Sequence, residues 1–442
     1  MLRRPTGASE FRSTRIPPAQ IVEESIKKGK KEDNGNLYWT QSHAGRRSRK
    51  HGCLVLMIGI IAGLLLGTLR VGLELFSYFK EQGKYCLVLE DHFDGPLNTS
   101  LWVPEVSVGG NGNGEFQWTT DSPKNAYTED GMLYIVPTLT ADAIGEANVY
   151  DGYTVNLTAD GTCTTNEVKW TKIDKKVPMQ VAINSTHTNC IARSNATLGT
   201  VIPPIQSARL TTKGTAAIRY GRVEVRARMP TGDWLWPAVW MMPRDSVYGE
   251  WPRSGEIDIF ENDGNQPKSR YDVHSNAMRS TLHFGIDAAH NLQSHWRGIR
   301  LLWRKYFNEE FHTFGLEWDE HGIWTWENTR NYRVLNKKFH NFAIDRQPIQ
   351  RDDKGAIIPP PNPWLTANNK AAPFDQYFYL IMNVAVGGTG GYFTNGPWSN
   401  SDPNAQRAFI EAKDKTWGPT WPNDPKRRGM AVDYVKMWQR CG

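Results

Sequence analysis

The stretch Tyr220–Met229, YGRVEVRARM, decides the fold. In it Val223, Val225 and Ala227 alternate with Arg222, Glu224, Arg226 and Arg228. A period of two puts the apolar set on one face of a pleated strand and the charges on the other, a separation a helix would scramble. Working outward, similar short runs rich in β-branched and aromatic residues recur between Gly, Pro, Asn and Asp. They are LVLEDHF and GMLYIVPTL before it, and GEIDIF, STLHFGI, HTFGLEW, HGIWTWE, FYLIMNVAV and MAVDYVKMW after it. Many short strands with turn signals, and no long amphipathic helix among them, predict an all-β antiparallel sandwich or barrel over residues 85–442. Two stretches break the rhythm: residues 140–200, expected to be a long surface loop, and the Pro-rich DDKGAIIPPPNPWLTANNKAAP.

The 442 residues carry a net charge of +6, and residues 1–50, with 12 Lys+Arg against 5 Asp+Glu, account for +7, leaving the rest at −1. The basic balance therefore belongs to a tail, expected to be disordered and cytosolic, and a nucleic-acid-binding core is disfavoured. Cys53 to Leu69 then runs seventeen residues without a charge, and the apolar character resumes after Arg70 through Phe79. A transmembrane signal-anchor over 51–79 is the expectation, with a core helix and a cleaved signal peptide as alternatives. Arg46, Arg47, Arg49 and Lys50 outweigh the cations beyond the span, so the positive-inside rule predicts a single-pass type II protein with its domain luminal or extracellular.

Four N-glycosylation sequons, at Asn98, Asn156, Asn184 and Asn195, all follow the apolar run. Beyond Cys53, four cysteines remain, an even number suited to an oxidising compartment. Of three possible connectivities, the nested one, Cys86 with Cys441 and Cys163 with Cys190, is the simplest.

The chemistry concentrates in SGEIDIFENDGN, residues 254–265, with Glu256, Asp258 and Glu261 inside six positions. Like charges packed together raise one another's pKa, so the stretch is either a wet acidic strand or a working site. Residues two apart share a strand face, which unites Glu256 and Asp258. Glu261 would point the other way unless a one-residue β-bulge follows Asp258, a device often found beside active sites. Paired carboxyl groups on one face suit glycoside hydrolysis. Trp236, Trp240 and Trp251 precede the cluster in a chain with 18 tryptophans, and indoles stack on the C–H faces of sugars as readily as they fill a core.

The blocks EDHFDG, YGRVEVRARMPTGDWLWPAVWMMP, WPRSGEIDIFENDGN, STLHFG, FHTFGLEW, APFDQYFYLIMNVAVGGTGGYF and VDYVKMWQ resemble, in order and spacing, glycoside hydrolase family 16, in its branch of laminarinases and β-1,3-glucan recognition proteins. The resemblance implies a β-jelly-roll of two curved antiparallel sheets whose concave face forms a glucan cleft. It implies Glu256 as nucleophile, Glu261 as acid/base, Asp258 as helper and His283 close to the acid/base. Trp236, Trp240, Trp251 and Asn383 match cleft positions. It requires no cofactor for catalysis, and it suggests a structural calcium ion with Glu90 and Asp433 as candidate ligands. Recognition proteins of this branch typically lack one or both glutamates, and this chain has both. It departs from the pattern at Asp263, which adds a charge beside the site.

The resulting expectation is a retaining endo-β-glucanase of β-1,3-glucan or laminarin type that hydrolyses or transglycosylates β-glucan. The alternative is a non-catalytic, membrane-anchored β-1,3-glucan-binding protein.

Overall fold

The computed structural model describes residues 43–82, 85–165, 189–269 and 272–441. The expected basic tail lies outside them up to residue 42, as does the sequon at Asn184. The chain divides into two compact units, residues 1–82 and 83–442.

In the first unit, helix α1 (His43–Gln82) extends past the expected span at both ends. Its apolar part, Lys50–Phe76, is 27 residues long with mean hydropathy 2.5, long and apolar enough to cross a membrane by length and composition. At 1.5 Å per residue that is about 40 Å. Thr68, a polar residue within it, turns its hydroxyl back to the carbonyls of Leu64 and Leu65, so no donor is left over.

The second unit is built from antiparallel strands: β1 (Tyr85–Asp91), β2 (Val103–Pro104), β3 (Ala126–Glu129), β4 (Met132–Ile135), β5 (Thr154–Asn156), β6 (Ile191–Arg193), β7 (Arg209–Thr211), β8 (Gly221–Arg228), β9 (Leu235–Pro243), β10 (Glu256–Glu261), β11 (Ala277–His283), β12 (Arg297–Leu301), β13 (His312–Trp318), β14 (Gly322–Glu327), β15 (Thr329–Lys338), β16 (Phe378–Val386) and β17 (Met430–Arg440). One sheet runs β15-β14-β13-β8-β17-β4-β3, with β1 added to β17. The other runs β12-β11-β10-β9-β16-β7-β2 and carries the acidic cluster. β8 alternates buried and half-buried residues along its whole length, as its sequence predicts. Its Val223 and Val225 join Val239 and Met241 of β9 and Ile257 and Ile259 of β10 in one core between the sheets. Each such side chain removed from water contributes roughly 1.5–3 kcal/mol.

Both nested disulfides are formed. Cys86–Cys441 has Cα atoms 5.8 Å apart and Cys163–Cys190 5.6 Å. The first fits the ladder, because β1 pairs with the last strand, Tyr85 opposite Arg440 and Cys86 opposite Gln439. In its described residues, 140–165 and 189–200, the 140–200 stretch holds regular structure. It holds the short helices α2 (Ala141–Ile144) and α3 (Glu146–Tyr150) and the hairpin β5–β6. Val155, Leu157, Cys190, Ala192 and Ile202 form a small separate core there with Val106 and Val108. Ile202 apart, these apolar residues fall in pairs two apart, 106/108, 155/157 and 190/192, runs too short for alternation to stand out in the sequence.

Candidate active site

β10 lies between β9 and β11, and both ladders slip at the same place. Against β11, Asp258 faces Thr281 and the next pair is Glu261 with Arg279. Against β9, Asp258 faces Trp240 and Phe260 faces Val239. The strand thus carries one extra residue between Asp258 and Glu261, a β-bulge. Ile257, Ile259 and Phe260 are fully buried in the core, while Glu256 and Glu261 are half-buried. The bulge brings Glu261 back to the face of Glu256 and Asp258.

On that face Asp258 is the most enclosed group, 2% exposed. Burial first, then the charge and hydrogen bond of Glu256, push its pKa well above the ordinary range. A protonated Asp258 can therefore donate to Glu256. Its Oδ2 lies 3.1 Å from His283 Nε2, off the hydrogen-bonding direction, and no donor satisfies it. His283 itself faces Glu256 across the β10–β11 ladder, with Nδ1 2.8 Å from the Asn291 amide nitrogen. Glu261 is pushed up to about 8, by burial and then by the Asp258 charge, with the Trp236 indole N–H, 2.9 Å from its Oε1, working the other way. Glu256 Oε2 accepts from the indole N–H of Trp251 at 2.6 Å. Two carboxyl groups with different environments on one face are what acid/base division of labour needs.

The three tryptophans surround these groups in different ways. Trp251, 43% exposed, tilts against the His283 ring at 5.8 Å. Trp236 lies flat on Tyr392, ring centroids 3.9 Å apart. Trp240 donates its N–H to Asn383 Oδ1 at 2.7 Å and carries the Arg209 guanidinium 4.6 Å above its ring. Arg209 in turn pairs with Glu105 at 2.6 Å. The sequence pointed to Trp236, Trp240, Trp251 and Asn383 as cleft positions, and the structure adds Arg209, Glu105, Tyr392 and Asn291 beside these groups. Arg209 lies opposite Asn383 in the β7–β16 ladder, a neighbourhood that pairing creates and no local pattern signals.

The candidate calcium ligands Glu90 and Asp433 each have cationic neighbours. Glu90 is taken by Lys436 at 2.7 Å and His92 at 3.0 Å, and Asp433 pairs with Arg226. Among the described residues, the His/Asp/Glu group tight enough to share an ion is Glu256, Asp258 and His283, with ligand atoms within 4.8 Å of one another, and it coincides with the carboxylate site.

A family model described as glycosyl hydrolases family 16 matches residues 177–351. A β-1,3-glucan-binding protein of Penaeus monodon is 36% identical over 366 residues, covering 80% of this chain and 90% of that protein. A glucan endo-1,3-β-glucosidase of Cryptopygus antarcticus is 32% identical over 343 residues, covering 77% and 93%. Among solved structures, the laminarinase from Rhodothermus marinus aligns over 81% of this chain and 98% of its own, with a TM-score of 0.46 at 24% identity. The family match falls on the segment that holds Glu256, Asp258 and Glu261, and more than a third of residues are shared along nine-tenths of the crustacean relative; the chain belongs to glycosyl hydrolase family 16.

Proposed function

We propose that the chain is a retaining endo-β-1,3-glucanase, or a transglycosylase working through the same glycosyl-enzyme intermediate. The observation that carries this is the bulge, which gathers Glu256, Asp258 and Glu261 on one face and leaves Glu261 protonated up to about pH 8. Glu256 attacks the anomeric carbon while Glu261 gives its proton to the departing glycosidic oxygen. Glu261, now a carboxylate, then takes a proton from water or from a sugar hydroxyl, whose oxygen displaces Glu256. Asp258 shares a hydrogen bond with Glu256 beside the reacting carboxyls, and no cofactor enters. Trp251 and Trp236 each donate to one of the two reacting carboxyls and fix its orientation.

The second reading, a glucan-binding protein without turnover, draws on the Penaeus relative, a β-1,3-glucan-binding protein. Full-length protein in detergent, incubated with laminarin, separates the two. New reducing ends, with the β-anomer appearing first, support the glycosidase. Binding without reducing ends over long incubation overturns it.

The orientation belongs to the same proposal. Basic residues precede the apolar helix, and Asn98, Asn156 and Asn195 follow it at exposed or half-buried positions. These positions support a type II protein whose domain is luminal or extracellular and N-glycosylated. Endoglycosidase treatment should increase gel mobility of the protein made in a secretory host, and unchanged mobility would overturn it.

A further inference from the structure

Directly across the β10–β11 ladder from Glu261 stands Arg279. Opposite charges in that position ordinarily attract. Here the guanidinium is turned elsewhere. Its Nη2 donates to Asp263 Oδ2 at 2.9 Å and to the carbonyl of Val273, and its Nη1 donates to the Tyr392 hydroxyl at 2.7 Å. Asp263, 6% exposed, is held on its other oxygen by His274 Nδ1 at 2.6 Å. Tyr392 lies on Trp236, and Trp236 holds Glu261. A continuous set of contacts therefore runs from Asp263 through Arg279, Tyr392 and Trp236 to the Glu261 carboxyl.

A guanidinium turned onto Glu261 would favour its ionised form and lower its pKa by about 1–3 units. The acid would then be spent before it met substrate. We propose that Asp263 is a positioning residue for Glu261: it binds Arg279 away from that carboxyl and, through Tyr392, holds the Trp236 indole that orients it. This rests on reading Glu261 as the acid/base. It gives a role to the one charge by which SGEIDIFENDGN departs from its family's pattern. The other ionisable groups around the cluster are His274, Asp272, Asp233 and Lys268 on the Asp263 side, and Asp258, Glu256 and His283 on the Glu261 side. His274 is itself raised, chiefly by its hydrogen bond to Asp263, which keeps a second cation on that carboxylate.

The test is an infrared pH titration of the full-length protein in detergent, following the protonated-carboxyl band that Glu261→Gln removes. In Asp263→Asn the midpoint should fall from about 8 by about 1–3 pH units, a loss of at least tenfold in proton affinity. Adding Arg279→Gln to Asp263→Asn should return it toward the wild-type value. An unchanged midpoint in the single variant, or no recovery in the double, overturns the proposal. Should Asp263→Asn not fold, Arg279→Gln alone decides: the midpoint stays or rises, and a fall overturns it. The titration reads protons and not turnover, so a wild type inert toward laminarin would count against the glycosidase while leaving this result readable.

Discussion

Each of the two sheets buries carboxylates, and it treats them in opposite ways. In the β8–β17 sheet, Glu317 is fully buried and gripped by Arg330 through Nε at 2.5 Å and through Nη2. Glu327, 2% exposed, receives His312 Nδ1 at 2.7 Å and Arg300 Nε at 2.8 Å. Burial works against its ionised form, yet the His312 hydrogen bond and the Arg300 charge win and hold it below the ordinary glutamate value. In the β9–β10 sheet, Asp258 and Glu261 face other carboxyls and indole N–H groups, and the nearest arginine is bound to Asp263. Burial is common to both sheets. The partner decides whether a buried carboxyl is a fixed charge or a proton reservoir.

Substitutions on the two sides should therefore fail differently. Glu256→Gln has the largest expected effect, a loss of turnover on laminarin on the order of 10⁴-fold or more, with glucan binding and thermal midpoint little changed. Equal loss of binding and turnover would make Glu256 a substrate-binding group and not the nucleophile. Glu261→Gln follows, with about 10²–10⁴-fold lost on laminarin. The loss should be much smaller on an aryl glycoside whose leaving group needs no proton, and initial rates on the two substrates compare them. On the other sheet, Arg330→Ala takes from the buried Glu317 the guanidinium that grips it. It should cost about 3 kcal/mol in urea denaturation, with kcat per folded molecule unchanged.

The smallest expected effect is also the most discriminating, because the two sides respond to pH with opposite sign. Glu261 is raised in the folded protein, from 4.5 to about 8. Its contribution to stability is greatest below about 4.5 and is lost as pH rises toward 8, because the unfolded chain releases that proton first. Glu327 is lowered, so its contribution is present above its ordinary value of 4.5 and is lost as pH falls below it. Denaturation midpoints measured from pH 3 to 9 should show Glu261→Gln flattening the alkaline decline and Glu327→Gln flattening the acid one. The turnover profile should lose its alkaline limb near pH 8 in step with Glu261 alone.

Much of this was legible in the sequence, for reasons that can be located. Alternation in β8 reports a two-faced strand, and period-two geometry turns Glu256, Asp258 and Glu261 into a prediction of the bulge. The disulfides followed from an even count and from strands that begin and end a sandwich. What stayed hidden depends on pairing between distant segments. Arg209 reaches Trp240 because β7 and β9 flank the same strand, β16. Tyr392 meets Trp236 from a loop after β16. The ladder also sets Lys436 beside Glu90 and Arg226 beside Asp433, neighbours that no local pattern signals. The small core under 140–200 is assembled from pairs of alternating residues too short to read as strands, brought together only by the fold.

The Cys86–Cys441 bond has a mechanical meaning. A pull along α1 enters the second unit at Tyr85, where β1 begins its ladder with β17. Load applied at the end of an antiparallel pair peels it one rung at a time, Tyr85 from Arg440 first, which is the weakest direction in which to stress a sheet. The covalent bond stands one residue into β1 and one residue beyond the end of β17. Peeling stops there before it spreads, and tension passes into the last strand at the opposite end of the sequence. A domain loaded through its N-terminal end would be tugged at this seam, and there its hydrogen bonds are spared the load.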